Sequence, residues 1–299
     1  MKISVTTPTG HIGHQLADRL LSEGVQVTVL ARHPEKVREL STRGARVIAG
    51  DQLDPNAVNS AIEGADALFW LDPVAPTAKN IRAEYNRFSD VAAGVIQRYP
   101  NLRVVNLSSV GAELPEGNGP IKGLYDSENK LNTATKNVTH LRANYFMENV
   151  LSSLPTIIAD GVIYSTIPGS VSLAQVATRD IATAAEHYLV NGDRGQHIVD
   201  VFGPEEITFN EVAETLSEVL GRPVKHLQVP REKLRAGMLA AGISPDLAEQ
   251  LLELQDGIAN GRLKGVADDA LGGKTTFGEF ARQVVSRAYK SQPGMAKAG

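Results

Sequence analysis

The most constraining stretch of this sequence is its opening, residues 1 to 32. A short apolar run, Ile3 to Thr6, leads into Thr7-Pro8-Thr9-Gly10-His11-Ile12-Gly13, and a helical pattern starts at once. Gln15, Leu16, Leu20 and Leu21 recur at helical spacing, with Gly24 as C-cap. A second apolar run, Val25 to Ala31, is rich in β-branched residues and stops at Arg32. Strand, glycine turn, helix, strand is a βαβ unit, the arrangement whose helix N-terminus receives a pyrophosphate. An ordinary tight βα turn is the alternative, because Thr-x-x-Gly-x-x-Gly lacks one of the usual three glycines.

The alternation continues beyond Arg32. Pro34 opens a short helix to Leu40, and Arg46 to Asp51 is a third strand running into a turn. Asp54 and Pro55 are the N-cap and first position of another helix. Ala67 to Leu71 is a fourth strand halted by Asp72-Pro73, and a long helix follows from about Lys79 to Arg98. Leu102 to Leu107 is a fifth strand, ending in Ser108-Ser109, and a helix from about Tyr125 to Thr135 precedes a strand at Val138 to Arg142. This order predicts an α/β fold, a Rossmann-type doubly wound parallel sheet. Ligands then bind outside the carboxyl ends of the strands, which selects Thr9 to Gly13, Arg32, Asp51, Asp72 and Ser108-Ser109.

The later chain is richer in helices and less regular. Helices are expected near 145–160, 178–190, 210–220, 231–242, 245–260 and 277–289, with strands at 197–202 and 224–229. This gives a dinucleotide-binding domain over 1–145, with 177–202 returning to it. A small helix-rich C-terminal substrate cap covers most of 146–285, and 286–299 is a flexible tail. The Pro/Gly-rich loop from Glu113 to Gly123 is a candidate mobile cover.

Composition narrows the function classes. With a net charge of −4 spread over 299 residues, neither nucleic acid nor an anionic membrane is an expected partner. No run of 18 apolar residues spans a bilayer, and a strand at residue 2 leaves no room for a signal peptide, so a cytoplasmic protein is expected. With no cysteine, disulfides, a thiolate nucleophile and cysteine-held metals are excluded. The histidines lack metal spacing, so no metal site is expected.

Arg32 bears on cofactor choice. Chains that read NAD place Asp or Glu at the end of the second strand to bond the ribose 2′-hydroxyl. Arg32 stands there instead, followed by His33, and no acid occurs before Glu35. A guanidinium binds a 2′-phosphate that a carboxylate would repel, so NADP(H) is expected over NAD(H). A solvated arginine at a strand end is the alternative. Tyr125 and Lys130 are the candidate catalytic pair, as proton donor and ribose contact. Five residues apart, they lie about 140° round an ideal helix and converge only if Tyr125 precedes the first turn. Otherwise Tyr125 is an aromatic anchor at the helix start and Lys130 a surface lysine.

Several segments carry a family resemblance: Thr-Thr-Pro-Thr-Gly-His-Ile-Gly at 6 to 13, Val-Leu-Ala-Arg at 29 to 32, and Gly50-Asp51. Glu-Asn-Lys at 128 to 130, Leu-Arg-x-x-x-Phe-Met-Glu-Asn at 141 to 149 and Ala-Thr-Arg-Asp-Ile-Ala at 177 to 182 add to it. Together they resemble the NmrA-like branch of the atypical short-chain dehydrogenases/reductases, to about residue 285, and most of all its NADPH-dependent quinone oxidoreductases. The resemblance implies an NADP(H) cofactor, with Thr9 to Gly13 at the pyrophosphate and Arg32 at the 2′-phosphate. It also implies Asp72 to Thr77 along the adenosine-side ribose, Lys130 at the nicotinamide ribose, and Asn144-Tyr145 beside the nicotinamide. With the strand-end residues, the expected cofactor-binding set is Thr7, Thr9, Gly10, His11, Ile12, Gly13, Arg32, Asp51, Asp72, Pro73, Ser108, Lys130, Asn144 and Tyr145.

The activity implied is NADPH-dependent reduction of a small carbonyl or quinone, with a small molecule as partner and homodimerisation left open. A non-catalytic NADP(H)-binding redox sensor that signals to a protein partner is the alternative. Nucleotide-sugar epimerisation ranks third, because it needs a working tyrosine–lysine pair. Two departures from the family stand out. Thr7 occupies its first glycine, so the turn avoids positive φ or carries strain. Tyr125 and Lys130 only approximate the Tyr-x-x-x-Lys of active reductases.

Overall fold

The computed structural model describes residues 1–292. Eight strands build one sheet in which every neighbouring pair is parallel. The first six are β1 (Lys2–Val5), β2 (Gln26–Ala31), β3 (Arg46–Ala49), β4 (Ala67–Trp70), β5 (Arg103–Ser109) and β6 (Val138–Ala143). Four short strands lie outside this sheet: β7 (Val162–Ser165), β8 (Ser172–Leu173), β10 (Ile207–Thr208) and β11 (Lys225–Gln228) form two small pairs, β10 with β8 and β11 with β7. β9 (Gln196–Phe202) and β12 (Asp269–Gly272) complete the large sheet, whose order is β12-β9-β6-β5-β4-β1-β2-β3.

Burial explains the strand sequences. All four residues of β4 are buried, so that strand is apolar throughout instead of alternating. β3 lies at the edge and has no fully buried residue. Helices cover both faces. On one, α1 (His11–Ser22) presents Ile12, Leu16, Ala17 and Leu20 to a core shared with Ile181, Ala184, Ala185 and Leu189 of α7 (Thr178–Asn191). The other face is covered by α3 (Pro55–Ile62), α4 (Ile81–Ile96) and α5 (Ile121–Ala134), through Val58, Ile62, Phe88, Val95 and Leu131. A short α2 (Arg38–Thr42) precedes β3. β1 pairs with β2 on one side and β4 on the other, both parallel, so the order in which strands are added reverses across the sheet at that point. A crevice opens there, above the carboxyl ends.

The remaining helices form a second layer around their own apolar clusters. α6 (Leu154–Asp160) and α8 (Phe209–Leu220) meet α11 (Phe277–Phe280) and a π-helical stretch, Ala281–Val285, through Leu154, Ile157, Leu216, Phe277 and Val285. α8 starts at a capping box, Thr208 with Glu211, and ends at Gly221 with φ +65°. α9 (Arg231–Ala240) lies outermost with no buried residue, and α10 (Pro245–Ala259) ties this layer to the sheet domain, Asp246 accepting from the Ile81 backbone N–H at 2.8 Å. No helix among the described residues is long and apolar enough to cross a membrane.

Several expectations change. Residues 269–272, expected in the cap, lie on the edge of the main sheet next to β9. Residues 286–290, expected in a flexible tail, form α12 (Ser286–Lys290), while 293–299 lie outside the described residues. The helix expected at 145–160 is a 3-10 helix, Met147–Ser153, followed by α6. The loop from Glu113 is pinned, not loose. Asn118, fully buried, donates to the carbonyls of Gly111 at 2.8 Å and Leu114 at 2.7 Å. α5 begins at Ile121, one turn earlier than expected, because Gly123 reads as a loop residue. It is a packing glycine: a Cβ there would lie 2.6 Å from Cγ of Tyr85 on α4.

Candidate functional site

The crevice holds a cavity of about 680 Å³. Its floor is the turn between β1 and α1. The Gly10 N–H donates to the Thr7 carbonyl at 3.0 Å, and the Thr6 hydroxyl donates to the Phe69 carbonyl at 3.0 Å, fastening the turn to β4. The first intrahelical bond of α1 runs from the His14 N–H to the Gly10 carbonyl. The N–H groups of His11, Ile12 and Gly13 therefore have no helical partner, and no acid stands in that first turn. Gly13 is needed for the close approach of helix to strand. A Cβ there would lie 2.8 Å from the Thr6 carbonyl oxygen and nearer still to that of Thr7. Thr7 has φ +52°, the only non-glycine positive φ among the described residues. The turn thus carries strain at a β-branched residue that also precedes a proline.

The far end of the cavity lies above β2 and β3. Arg32, His33 and Lys36 line it, all exposed, and Arg32 has no ion-pair partner among the described residues. Asp51 also lines it, with one carboxylate oxygen accepting from the Leu53 N–H at 2.9 Å. Gln52 is held by a 3.0 Å bond from its side-chain amide to the Leu71 carbonyl. Gly50 lets the chain pass close to α3, where any Cβ would strike Ala57.

The opposite lip is built from distant sequence. Phe146, Glu148, Asn149 and Leu151 line it, with Thr178 at the start of α7. Glu148 caps α7, accepting from the Thr178 N–H at 3.0 Å and its hydroxyl at 2.6 Å. Gln15 of α1 donates to the same hydroxyl at 3.1 Å, so one relay joins the two walls of the cleft.

Of the residues expected at a cofactor, Thr7, Thr9, Gly10, His11, Ile12, Gly13, Arg32, Asp51 and Pro73 line this cavity. Five others do not line it. The Asp72 side chain turns away to accept from Trp70 Nε1 at 2.7 Å and the Ser127 hydroxyl at 2.8 Å. Burial pushes its ionisation up to about 6, against those two hydrogen bonds and the nearby charge of Lys130. Ser108 donates to Glu128 at 2.5 Å, and Glu128 is held by two bonds from Arg142, at 3.0 and 2.7 Å. Lys130 points toward α4, pairing with Asp90 at 2.5 Å and donating to the Asn86 carbonyl. Asn144, expected beside the nicotinamide, accepts from the Tyr145 N–H at 2.6 Å just after β6. Tyr145 stacks edge-on against Phe209, centroids 5.7 Å apart, and burial pushes its ionisation up to about 12.

The candidate catalytic pair is likewise not brought together. Tyr125 lies inside α5, well past its first residue at Ile121, so the condition for convergence with Lys130 is not met. Two groups carried no strong sequence signal. Lys36, which lines the cavity, could have been found four residues after Arg32. Tyr85 does not itself line the cavity but lies one turn before Phe88, which does.

Residues 1–281 match the NmrA-like family. The chain belongs to the NmrA-like family. Among its relatives, an NAD(P)H azoreductase of Xenophilus azovorans is 27% identical over 285 residues, covering 94% of this chain and 96% of that protein. The (4-alkanoyl-5-oxo-2,5-dihydrofuran-3-yl)methyl phosphate reductase of Streptomyces griseus is 32% identical over 254 residues, covering 84% and 85%. The NADPH-dependent quinone oxidoreductase QOR2 of Escherichia coli, solved with NADPH, superimposes with a TM-score of 0.73 at 22% identity, covering 88% of this chain and 91% of that one. This NmrA-like chain shares that fold, and its crevice lies where a doubly wound sheet binds a dinucleotide.

Proposed function

We propose that this NmrA-like chain is an NADPH-dependent oxidoreductase that reduces a small carbonyl or quinone-type acceptor. The observation that carries the reading is Arg32, exposed and without an ion-pair partner among the described residues, beside His33 and Lys36 in a cavity that ends on the unpartnered N–H groups of α1. Such a cavity fits a dinucleotide with an extra phosphate: backbone N–H groups for the diphosphate, and cations for the 2′-phosphate. The names of the azoreductase and the furanone phosphate reductase among its relatives support the same reaction class.

When bound, NADPH supplies the hydride. The chain itself binds, orients and excludes water. His11 to Gly13 would receive the diphosphate, and Arg32 with Lys36 the 2′-phosphate. Leu71, Phe88 and Phe146 give apolar walls. As donor to the acceptor oxygen we assign Tyr85 in place of Tyr125. It lies on the α4 face that carries Phe88, and burial, then the charge of Asp72, push its ionisation up. It stays protonated and can donate a hydrogen bond to an oxygen gaining negative charge; the proton itself comes from solvent.

Titration of purified protein with NADPH and NADH tests the cofactor assignment. NADPH should bind more tightly, and Arg32→Ala should weaken NADPH by about tenfold or more while leaving NADH unchanged. Tighter NADH binding overturns it. NADPH oxidation with a panel of quinones, azo compounds and aldehydes tests the reaction. NADPH binding with no turnover of any acceptor would return the sensor reading.

A further inference from the structure

The sheet has a second concavity, at the end opposite the cofactor crevice. Its volume is about 580 Å³, and it is bounded by the turns that lead into β4, β5, β6 and β9. Arg98, Arg103 and Arg194 line it, with no carboxylate partner among the described residues. One acid, Asp66, is present, and its Oδ2 already accepts from the Lys2 N–H at 2.7 Å. Three positive charges therefore share a hollow with one engaged negative charge, in a chain whose net charge is −4.

The innermost arginine is held in place. Arg103 Nη1 donates to the carbonyls of Leu189 at 2.7 Å and Val190 at 3.2 Å, near the end of α7. Its Nε is buried and has no partner among the described residues. Asn137, only 8% exposed, is fixed the same way, donating through Nδ2 to the Leu102 carbonyl at 3.3 Å and leaving Oδ1 buried and unpartnered. A desolvated charged donor and a buried acceptor, both left unmet in the lining of one cavity, are costly, and native proteins seldom keep them without a ligand or water.

We propose that this cavity binds a phosphate group, as free phosphate or as a phosphate monoester, on Arg98, Arg103 and Arg194. A tetrahedral dianion offers several acceptor oxygens, which suits forked guanidinium donors from the α4–β5 connection, the start of β5 and the turn before β9. Arg103 gives a preorganised cation at the base, while the exposed Arg98 and Arg194 close on the ligand from the rim. The O–H of hydrogen phosphate, or a hydroxyl on the organic part of an ester, is the donor that Asn137 Oδ1 lacks. The site is separate from the dinucleotide crevice, and the inference does not depend on how that crevice is used.

Calorimetric titration of the full chain tests it, in chloride buffer of constant ionic strength, with inorganic phosphate and then glycerol 3-phosphate. With NADP+ in excess to occupy the crevice, saturable binding is expected, weakened on the order of tenfold by Arg98→Ala and by Arg194→Ala. Both rim arginines are exposed, so the variants should melt like the parent. Tighter binding of glycerol 3-phosphate would assign the monoester as ligand, and tighter binding of phosphate the free anion. Absence of saturable binding overturns the proposal. So does binding that both rim variants leave unchanged.

Discussion

Thr7 shows how one residue can set the character of the turn. Its φ of +52° puts a β-branched side chain in the left-handed region, where the usual occupant is glycine. Replacing it by glycine should raise stability by about 1 kcal/mol, read from chemical denaturation; an unchanged or lower midpoint would mean that the surrounding packing already offsets the strain. Gly13 has the opposite sensitivity. Gly13→Ala drives a methyl group into the carbonyls of Thr6 and Thr7, so dinucleotide binding should be lost even where the protein remains folded. Tyr85→Phe removes a hydroxyl and little else. A fall of roughly 10- to 100-fold in kcat with NADPH affinity unchanged is expected, whereas Tyr125→Phe should leave both near the parent values.

Among the elements, β5, β6 and α5 are joined by a buried charge pair. Arg142 and Glu128, both near 5% exposed at 5% and 4%, meet through two hydrogen bonds, with Glu113 and Ser108 completing the set. Glu128→Ala leaves a buried guanidinium short of its main partner and should cost about 3 kcal/mol or more in unfolding free energy. The same elements show what the sequence could and could not convey. The glycine turn and Arg32 were legible because a βαβ unit is local: strand, turn and helix lie within 32 residues. The lip made by Phe146, Glu148, Asn149 and Thr178 was not, since those side chains meet α1 only through tertiary packing. Lys130 was misplaced for a related reason. Spacing fixes which residues share a face of α5, but the packing of α4 decides that this face meets Asp90. β12 was missed because Asp-Ala-Leu-Gly, at a sheet edge with three of its four residues exposed, has neither alternation nor an apolar run.

At the scale of the whole molecule, two buried groups oppose each other in acid. Asp72 ionises near 6 in the folded chain against 3.8 ordinarily, so the folded state holds a proton that the unfolded state gives up, and stability falls as pH rises from about 4 to 6. Burial lowers His140 from 6.5 to about 4, the charges of Glu128 and Arg142 adding smaller opposed effects. Stability from that group is present above 6.5 and lost as pH falls toward 4. Each difference is worth roughly 3 kcal/mol, with opposite sign in pH, so the parent should show a nearly flat stability profile between pH 4 and 6. Asp72→Asn should expose a rising slope with pH, and His140→Gln a falling one, in thermal melts across that window; parallel profiles for both variants would refute the cancellation. The position of β12 has a consequence in time. It closes the edge of the sheet on Val199 to Phe202, yet residues 203–268 must be made first. At ~5–20 residues per second, the growing chain holds the bare edge of β9 open for roughly 3 to 13 seconds, long enough for a neighbouring nascent strand to pair with it.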